Sequence, residues 1–347
     1  CPSRPDFFDG RVENPPLQQH HKLSDKLKFV FYFGERDHMT HLFIINPAAG
    51  SKDRTAQYTQ AIEEACGSRG LNYRIAVSAG PGDCTRLARE AAQTGEEYRI
   101  YACGGDGTLN EVAAGAAGYD NAAVTVYSGG SGNDFVKIFD EPKAFFELER
   151  LLDAQETHFD LIDCNGDLSL NICSVGLDAR IGTDVANYKR LPLLHGFRAY
   201  VASTIINVIK GVYEHYVVEI DGETVDADQT MICICNGRCY GGGFYAMPDA
   251  DPTDGKMDVL LVKRISRLKV PGVVGKYKDG RYKELGHIVR YFRTDRIVVR
   301  CDKPTPISLD GELRTGKDIE FRISDKKLRF FYPRGLSYAV KELAAVK

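Results

Sequence analysis

The sequence lacks the features that define several common classes of protein. None of its apolar runs approaches the roughly 18 residues that a membrane-spanning helix needs. Its ten cysteines include no CxxC pair, and no histidine lies beside Cys233, Cys235 or Cys239. Neither a zinc site nor a disulfide framework is therefore indicated. Internal repeats and low-complexity segments are also missing.

An excess of charge of one sign is missing as well. The 45 Lys and Arg residues nearly balance the 48 Asp and Glu residues, which leaves a formal charge of −3. Because proteins that bind nucleic acid through overall charge are normally basic, a nucleic-acid partner is not expected. Apolar residues make up 43% of the chain and charged residues 27%, as in soluble globular proteins. Cysteines such as Cys103 and Cys173 lie inside hydrophobic runs, so we expect free thiols in a reduced, cytoplasmic compartment.

The chain of 347 residues is long enough for about two domains. Residues 1–38 carry several prolines and a polar run, which predicts a poorly ordered extension, and Met39 stands directly before the first clear strand. From there to residue 140, continuously apolar strands alternate with segments of helical periodicity. The strands are predicted at 41–45, 73–78, 98–102 and 122–127. This alternation predicts an α/β domain over 39–140, with a parallel sheet and helices on both faces.

A second domain is predicted over 141–335. Its strands, among them one at 168–174, are shorter, and Asp221-Gly222 has the composition of a hairpin turn, which is typical of antiparallel sheets. One helical segment, over 178–211, interrupts these strands. We therefore expect an antiparallel β-sandwich with a helical insertion, and we expect segment 325–347 to pack back on the first domain.

The most informative segment is Gly104-Gly105-Asp106-Gly107-Thr108-Leu109-Asn110-Glu111, directly after the third strand. Its glycines permit a sharp turn, and Thr108 and Glu111 have the spacing of a capping box, so a helix is predicted to begin here. A helix N-terminus behind a glycine turn suits an anion such as phosphate. Because phosphate would repel a carboxylate, Asp106 is expected to face a metal ion or to accept a proton from a hydroxyl. A structural turn with a solvated aspartate is the alternative.

Two other loops leave the same edge of the predicted sheet. Residues 46–52 follow the first strand, and residues 128–135 follow the fourth. Ligands of such sheets bind beyond the carboxyl ends of the strands, where these loops lie. Neither the dinucleotide-binding fingerprint nor the P-loop spacing is present, which disfavours a simple dehydrogenase or a Walker-type protein.

Taken together, these motifs make the sequence similar to the diacylglycerol kinase catalytic superfamily, which includes bacterial soluble lipid kinases and sphingosine and ceramide kinases. The resemblance covers about residues 41–335, with the motifs in the same order. They are Asn46-Pro47 with Gly50, GGDGT at 104–108, GSGND at 130–134, NICSVGLDA at 171–179, Asn236-Gly237 with GGG at 241–243, PDADPTDGKMDV at 248–259 and Asp310-Gly311-Glu312. Family members usually have Pro, Thr and Arg where this sequence has Ser128, Ser131 and Lys137.

The resemblance implies an ATP-dependent kinase that phosphorylates a lipid hydroxyl, with conversion of diacylglycerol to phosphatidic acid as the first candidate. The nucleotide-binding residues that it implies are Asn46, Ser51, Gly104, Gly105, Gly107, Thr108, Ser131 and Asn133. The implied catalytic residues are Asp106, Glu312 and Asp163, with either Asp106 or Glu312 as the base. It further implies Mg²⁺ as a cofactor, with a structural ion at Asp254 and Asp258, and related bacterial enzymes are often homodimers. Without the resemblance, Asp310-Gly311-Glu312 is more typical of a plain hairpin turn.

Residues 261–300 bear on where such a substrate would be met. They contain twelve Lys or Arg against three Asp or Glu, interleaved with aromatic residues. This composition is expected either for a face that lies peripherally on the inner, anionic face of a membrane or for an ordinary solvated surface. Two other functions stay open at this stage, namely an NAD kinase-like phosphotransferase and a catalytically silent nucleotide-binding regulator.

Overall fold

The computed structural model describes residues 39–50, 52–130, 132–188, 211 and 213–338. The predictions made above for residues 1–38, for Ser51 and Ser131, for most of the helical segment beyond residue 188 and for the chain after residue 338 lie outside the described residues.

The first sheet has six strands and is parallel over most of its width. The strands are β1 (Met39–Ile45), β2 (Tyr73–Val77), β3 (Glu97–Gly104), β4 (Ala122–Ser128), β5 (Ala154–Phe159) and, near the end of the chain, β15 (Leu328–Pro333). Their spatial order is β2-β1-β3-β4-β15-β5, and β5 runs antiparallel to β15. The central strands are continuously apolar because both faces are covered, and Phe43, Ile44 and Ile45 are fully buried.

The described helices of this half are α1 (Thr55–Arg69), α2 (Asp83–Gln93), α3 (Asp106–Ala116) and the short α4 (Leu148–Leu152). Helix α1 ends at Gly70, whose φ of 64° lies in the left-handed region that favours glycine. At the start of α2, Gly82 rather than Asp83 is the N-cap residue. Asp83 lies in the first turn, where its carboxylate accepts the N–H of Ala79.

The second sheet has nine strands, which pair antiparallel. They are β6 (Ile162–Cys164), β7 (Asp167–Ser169), β8 (Ile172–Gly176), β9 (Glu214–Ile220), β10 (Glu223–Cys235), β11 (Met257–Lys263), β12 (Val289–Thr294), β13 (Arg296–Leu309) and β14 (Glu312–Ile323). The spatial order is β12-β11-β10-β8-β13-β14-β6-β7, with β9 paired to both β10 and β13. Asp221 and Gly222 form the β9–β10 turn with φ of 49° and 77°. The predicted fold class, an α/β domain and an antiparallel β domain, is confirmed.

The second half differs from the prediction at two places that matter for the site. The strand predicted at 168–174 is divided into β7 and β8, because the N–H groups of Leu170, Asn171 and Ile172 bond to the Asp310 carboxylate. After α5 (Leu177–Tyr188), a further helix, α6 (Val270–Lys278), lies between β11 and β12 and was not predicted. Its two glycines and one proline weaken the helical signal, although proline is well tolerated in a first turn. Among the described residues, no helix is both long enough and apolar enough to cross a membrane.

Both sheets bury apolar cores, and cysteines contribute to them as small apolar residues. Every cysteine in the described ranges is a free thiol, and all except Cys301 are buried. Burial raises the pKa of the Cys103 and Cys173 thiols well above the usual range, so these side chains are unreactive.

The chain passes more than once between the two halves. Strand β5 extends the first sheet past the predicted boundary at residue 140, and β15 returns from the second sheet to lie between β4 and β5. The loop after β10 is fixed to these crossings by Arg238, which is buried. Its guanidinium donates to the carbonyl oxygens of Ala250, Ile138 and Tyr338 at 2.8, 2.9 and 2.6 Å. One side chain therefore positions this loop against both the segment that leaves the first sheet and the segment that follows β15.

Replacing Arg238 with Met is expected to lower the free energy of unfolding by about 2–4 kcal/mol, because buried carbonyl groups lose their donor. Urea unfolding followed by circular dichroism measures this change. The control is Arg334→Met, since that guanidinium is exposed and lies 3.6 Å from exposed Asp153. It should change the free energy by no more than about 0.5 kcal/mol. Equal effects of the two substitutions would contradict the role given to Arg238.

Candidate active site

Asp106 is the residue at which the turn after β3 and the loop after β4 meet. Strand β3 ends at Gly104, Gly105 is the N-cap residue of α3, and Asp106 is the first residue of that helix. Its Oδ1 atom accepts the N–H of Asp134 at 2.6 Å and that of Phe135 at 3.2 Å. The carboxylate therefore joins the turn after β3 to the loop after β4, and the alternative of a solvated aspartate is wrong.

The same two loops approach each other through their backbones. The N–H groups of Gly129 and Gly130 both donate to the carbonyl oxygen of Gly104, at 2.8 and 3.2 Å. A Cβ atom on Gly130 would lie only 2.8 Å from the Cα atom of Gly105, closer than real Cβ contacts. Glycine is required at this crossing because of the close approach of the two backbones.

The loop after β1 meets them through Asn46. Its side-chain amide donates to the hydroxyl of Thr108 at 3.1 Å, and its Oδ1 atom accepts the N–H of Ala48 at 3.0 Å. In the third loop, Asn133 has a φ of 47° and donates to the carbonyl oxygen of Gly130. Its buried Oδ1 atom has no partner within the described part of the chain. The three loops predicted to converge therefore do so, although their role in nucleotide binding stays a prediction.

The predicted capping box at Thr108 and Glu111 is wrong. The Thr108 hydroxyl accepts the amide of Asn46, and the Glu111 carboxylate accepts the N–H of Cys84 in α2. Both side chains are drawn to neighbouring elements, so the N-terminal N–H groups of α3 have no side-chain cap. Helix α3 begins three residues earlier than the capping box predicts, at Asp106 instead of Leu109.

A cavity of about 280 Å³ lies between the two halves, with α3 and Asp106 on one side. The residues of the first half that line it are Asp106, Leu109, Asn110, Asp134 and Phe135. Those of the second half are Leu170, Asn171, Ile172, Asp178, Gly182, Tyr240, Gly241, Phe244, Ser308, Asp310 and Gly311. Four of these side chains are carboxylates, so the cavity concentrates negative charge contributed by both sheets.

Burial is the main reason why the pKa values of three of these carboxyl groups are raised. It raises the pKa of Asp310 to about 6, although the N–H groups of residues 170–172 stabilise the charged form. Burial and the nearby charge of Asp134 raise the pKa of Asp106. Burial also raises the pKa of Asp178, whose Oδ2 atom accepts the hydroxyl of Ser174 at 2.9 Å. Clustered carboxyl groups with raised pKa values are typical of functional sites.

Asp134 connects the cavity to the loop that follows β10. Its carboxylate pairs with Lys137 at 2.5 Å and accepts the N–H of Gly242 at 2.6 Å. Lys137 stands where the family usually has Arg, and here its ammonium group is held by Asp134. The bond from Gly242 to Asp134 holds the GGG segment at 241–243 against the loop after β4.

Asp310 is the cavity residue that sequence reasoning missed, since Glu312 was selected from the same motif. Asp310 and Gly311 form the β13–β14 turn with φ of 50° and 87°, so the plain hairpin and the functional motif coincide. Glu312 is not among the described residues that line the cavity, and its carboxylate pairs with Arg314 at 3.1 Å. Nothing in the composition or spacing of Asp310-Gly311-Glu312 indicates which of its two carboxylates lines the cavity.

The other predicted catalytic and metal residues lie away from this cavity. Asp163 accepts the N–H of Gly166 at 2.7 Å and pairs with Arg322 at 2.8 Å. Asp254 pairs with Arg293, and Asp258 accepts the hydroxyl of Tyr291 at 2.6 Å. Within the described ranges, no group of three or more His, Cys, Asp or Glu side chains is arranged to hold a metal ion. The magnesium site at Asp254 and Asp258, for which a backbone carbonyl would be a further ligand, stays a prediction.

A second, apolar cavity of about 110 Å³ adjoins the first. Its walls come from α5, β10, β11, α6 and the neighbouring loops, and they include Leu177, Ile181, Val262, Ile265, Val270, Val273, Val274, Leu285 and Val289. Asp178, Tyr240 and Phe244 line both cavities. The carboxylate cavity thus lies next to a space that suits hydrocarbon.

Comparison with known proteins places this architecture in one class. The sequence model of the diacylglycerol kinase catalytic domain matches residues 40–164, and that of the YegS C-terminal NAD kinase beta sandwich-like domain matches residues 171–332. The first match covers β1 to β6, and the second covers most of the antiparallel sheet and nearly all of β15. The described chain therefore contains a diacylglycerol kinase catalytic domain followed by a YegS C-terminal beta sandwich-like domain.

Individual relatives agree with this assignment. Proteins from Staphylococcus carnosus and Staphylococcus aureus, both named "Putative lipid kinase", are 24% and 25% identical over 282 and 271 residues. These matches cover 80% and 76% of this chain and 90% and 87% of the relatives. A crystal structure of a diacylglycerol kinase from Bacillus anthracis superposes with a TM-score of 0.62 at 19% identity, covering 85% of this chain and 97% of that chain. At that identity the superposition supports the fold.

Substitution of Gly130 by Ala is expected to lower the free energy of unfolding by about 1–3 kcal/mol, because the new Cβ atom would overlap the backbone of Gly105. Gly107→Ala is the matched control, since a Cβ atom there meets nothing within 4 Å. It should be neutral or stabilising by up to about 1 kcal/mol. Chemical unfolding of both variants without ligand measures the difference, and similar losses in both would contradict the close approach of the two loops.

Because the pKa of Asp310 is raised, the free energy of unfolding is expected to fall as the pH rises. Its pKa is about 6 in the folded protein against an ordinary value of 3.8, so between these values the folded state keeps a proton that the unfolded chain has released. The contribution of Asp310 to the free energy of unfolding is therefore full below about pH 4, declines as the pH rises, and is lost above about pH 6.

Relative to an Asp310→Asn variant, the wild-type protein should lose about 3 kcal/mol across this range in urea unfolding measured at successive pH values. An Asp325→Asn control, at an exposed carboxylate, should run parallel to the wild type. A difference between the wild type and Asp310→Asn that does not change with pH would show that Asp310 has no raised pKa.

Proposed function

We propose that this protein transfers the γ-phosphate of ATP to the hydroxyl of a lipid alcohol, with diacylglycerol as the first candidate and phosphatidic acid as the product. The main observation in support of the proposal is that the two cavities lie side by side. Carboxylates from both sheets line one cavity, and hydrocarbon side chains line the next, with Asp178, Tyr240 and Phe244 shared. A lipid alcohol has this same division between a polar reacting end and an apolar chain.

The nucleotide is proposed to lie on the three loops at the carboxyl ends of β1, β3 and β4. The uncapped N-terminus of α3 offers N–H groups to phosphate. Asn46 and Thr108 bond to each other at this edge, and the buried Oδ1 atom of Asn133, which has no partner in the described part of the chain, belongs to the third loop. Of the three glycines, Gly104 is buried within the turn, Gly105 is half-buried and Gly107 is exposed, so the backbone is accessible at the last two. The family match to a kinase domain supports ATP as the phosphoryl donor.

Asp106 is proposed as the base. The acceptor oxygen would form a bond to the γ-phosphorus while the bond from phosphorus to the bridging oxygen breaks, and ADP would leave. The hydroxyl proton would pass to the Asp106 carboxylate, whose raised pKa makes it a better proton acceptor than an ordinary aspartate. Asp310 lines the same cavity and is favoured over Glu312 as the second carboxylate, because Glu312 is paired with Arg314.

Magnesium is implied by the family, and it is proposed to bind in the carboxylate cavity, beside the loops proposed to hold the nucleotide. Mg²⁺ usually binds one or two carboxylates together with substrate phosphates. Asp134, beside Asp106 on the nucleotide side, is the carboxylate that would hold it in place of its pairing with Lys137, while Asp106 acts as the base. When bound, the ion would neutralise charge on the transferring phosphoryl group.

The test is a transfer assay with the full chain, labelled ATP, Mg²⁺ and lipid alcohols dispersed in neutral detergent micelles, with products identified by mass spectrometry. Diacylglycerol is expected to be phosphorylated, and NAD included in parallel is expected not to be. Binding of ATP without transfer to any lipid would favour a nucleotide-binding regulator. Phosphorylation of NAD would favour an NAD kinase-like enzyme.

Asp106→Asn is expected to lower kcat by about 10²–10⁴-fold while ATP binding persists, because the variant cannot accept the proton. Asp310→Asn and Glu312→Gln, measured in the same assay, separate the two candidates for the second carboxylate. We expect the larger loss in Asp310→Asn. Asp325→Asn, at a carboxylate outside the cavity lining, is the control and should retain the wild-type rate. Full turnover by Asp106→Asn would exclude Asp106 as the base.

A further inference from the structure

The segment 263–278, which leads from β11 through α6, exposes apolar side chains and cations together. Leu268 is 95% exposed, more than any other large hydrophobic residue among those described, and Val274 is 38% exposed. A single-turn 3₁₀ helix, Arg267–Lys269, places Leu268 between two cations. One exposed leucine is ordinary on a protein surface, so the significance of Leu268 depends on its surroundings.

The charge of this segment has one sign. It contains six cations and no Asp or Glu, the cations being Lys263, Arg264, Arg267, Lys269, Lys276 and Lys278. Arg264 pairs with Asp228, and Lys276 pairs with Glu284. The other four form no ion pair with a carboxylate in the described part of the chain. In a protein with a net charge of −3, this segment therefore stands out as a surface complementary to anions.

The inner side of the same segment forms a wall of the apolar cavity. Val270, Val273 and Val274 of α6 line that cavity, as does Ile265. Because Val274 both lines the cavity and is exposed, the cavity reaches the protein surface within this segment. Further along α6, the Lys278 ammonium lies 5.9 Å from the ring of Phe244, which borders both cavities. The 263–278 segment thus forms both an exposed surface and a wall of the apolar cavity.

We propose that the 263–278 segment docks on an anionic bilayer, with Leu268 inserted among the acyl chains and with Arg267 and Lys269 at the lipid phosphates. This inference rests on the proposed function, since docking would bring the apolar cavity to the membrane where a lipid substrate lies. A bilayer matches both properties of the surface, because it offers hydrocarbon beneath a layer of phosphate. Nucleic acid would match the cations but offers no apolar layer to Leu268.

Co-sedimentation of the full chain with vesicles, without ATP, tests the docking directly. The vesicles are phosphatidylcholine alone or phosphatidylcholine with about 30 mol% phosphatidylglycerol, and we expect binding at least about ten-fold stronger to the anionic vesicles. The double substitution Arg267→Gln and Lys269→Gln should weaken that binding by about 30-fold. Leu268→Gln should weaken binding to the anionic vesicles by about ten-fold without changing the salt dependence of that binding. Leu268→Phe keeps a large apolar side chain and should bind as the wild type does.

The matched charge control is the double substitution Lys317→Gln and Lys326→Gln, which removes the same charge. Lys317 lies in β14, which the sheet order separates from β11 by three strands, and Lys326 lies just before β15. This control should bind anionic vesicles as the wild type does. Equal weakening in the control and in the Arg267/Lys269 variant would show a general charge effect and would overturn the proposal.

The docking proposal and the proposed function fail in distinguishable ways. Absence of wild-type binding to the anionic vesicles overturns the docking, even if the protein phosphorylates lipid in neutral micelles. Selective, Leu268-dependent vesicle binding by a protein that transfers no phosphate supports the docking while the proposed function fails. Binding to a short DNA duplex but not to vesicles would assign the cations to nucleic acid and would also overturn the docking.

Discussion

The carboxylate of Asp106 is the interaction on which the rest of the site depends. By accepting the N–H groups of Asp134 and Phe135, it fixes the loop after β4 against the beginning of α3. Asp134 in turn accepts the N–H of Gly242, so the second half is held to the first through the same chain of hydrogen bonds. Buried hydrogen bonds to a charged group are stronger than neutral ones, and they fix geometry as well as adding stability. Loss of the Asp106 contact would free the loop from which Asp134 reaches the second half, while the contacts of Arg238 and the pairing of β15 with β4 would remain.

The sequence was informative about those parts of the site whose geometry is local. Continuous apolar strands separated by helices predict a parallel sheet, and the topology of such a sheet places the loops after β1, β3 and β4 side by side. The convergence of Asn46, Gly104 and Asn133 follows from this rule without knowledge of any side-chain contact. The Asp221-Gly222 turn is local in the same sense, since two residues determine its φ angles.

The parts that the sequence did not predict depend on partners far away along the chain. Asp310 enters the cavity because its carboxylate accepts N–H groups from residues about 140 positions earlier, and this pairing also divides a predicted strand in two. Asp258 is engaged by Tyr291 on β12, a strand that follows the unpredicted helix α6. Composition and spacing contain no information about which of two nearby carboxylates is satisfied in this way. That is the physical reason why Glu312 was selected in place of Asp310.

The two adjoining cavities explain why acidic residues and hydrocarbon occur so close together. A carboxylate surrounded by apolar atoms is poorly hydrated, and this raises its pKa, as it does for Asp106, Asp178 and Asp310. The same apolar surroundings would hold the hydrocarbon chains of the proposed lipid acceptor and so bring its hydroxyl to these carboxylates. Exclusion of water would therefore strengthen the base and select the substrate at once. A soluble, polar acceptor would gain only the first of these effects, which is why the junction at Asp178 favours a lipid.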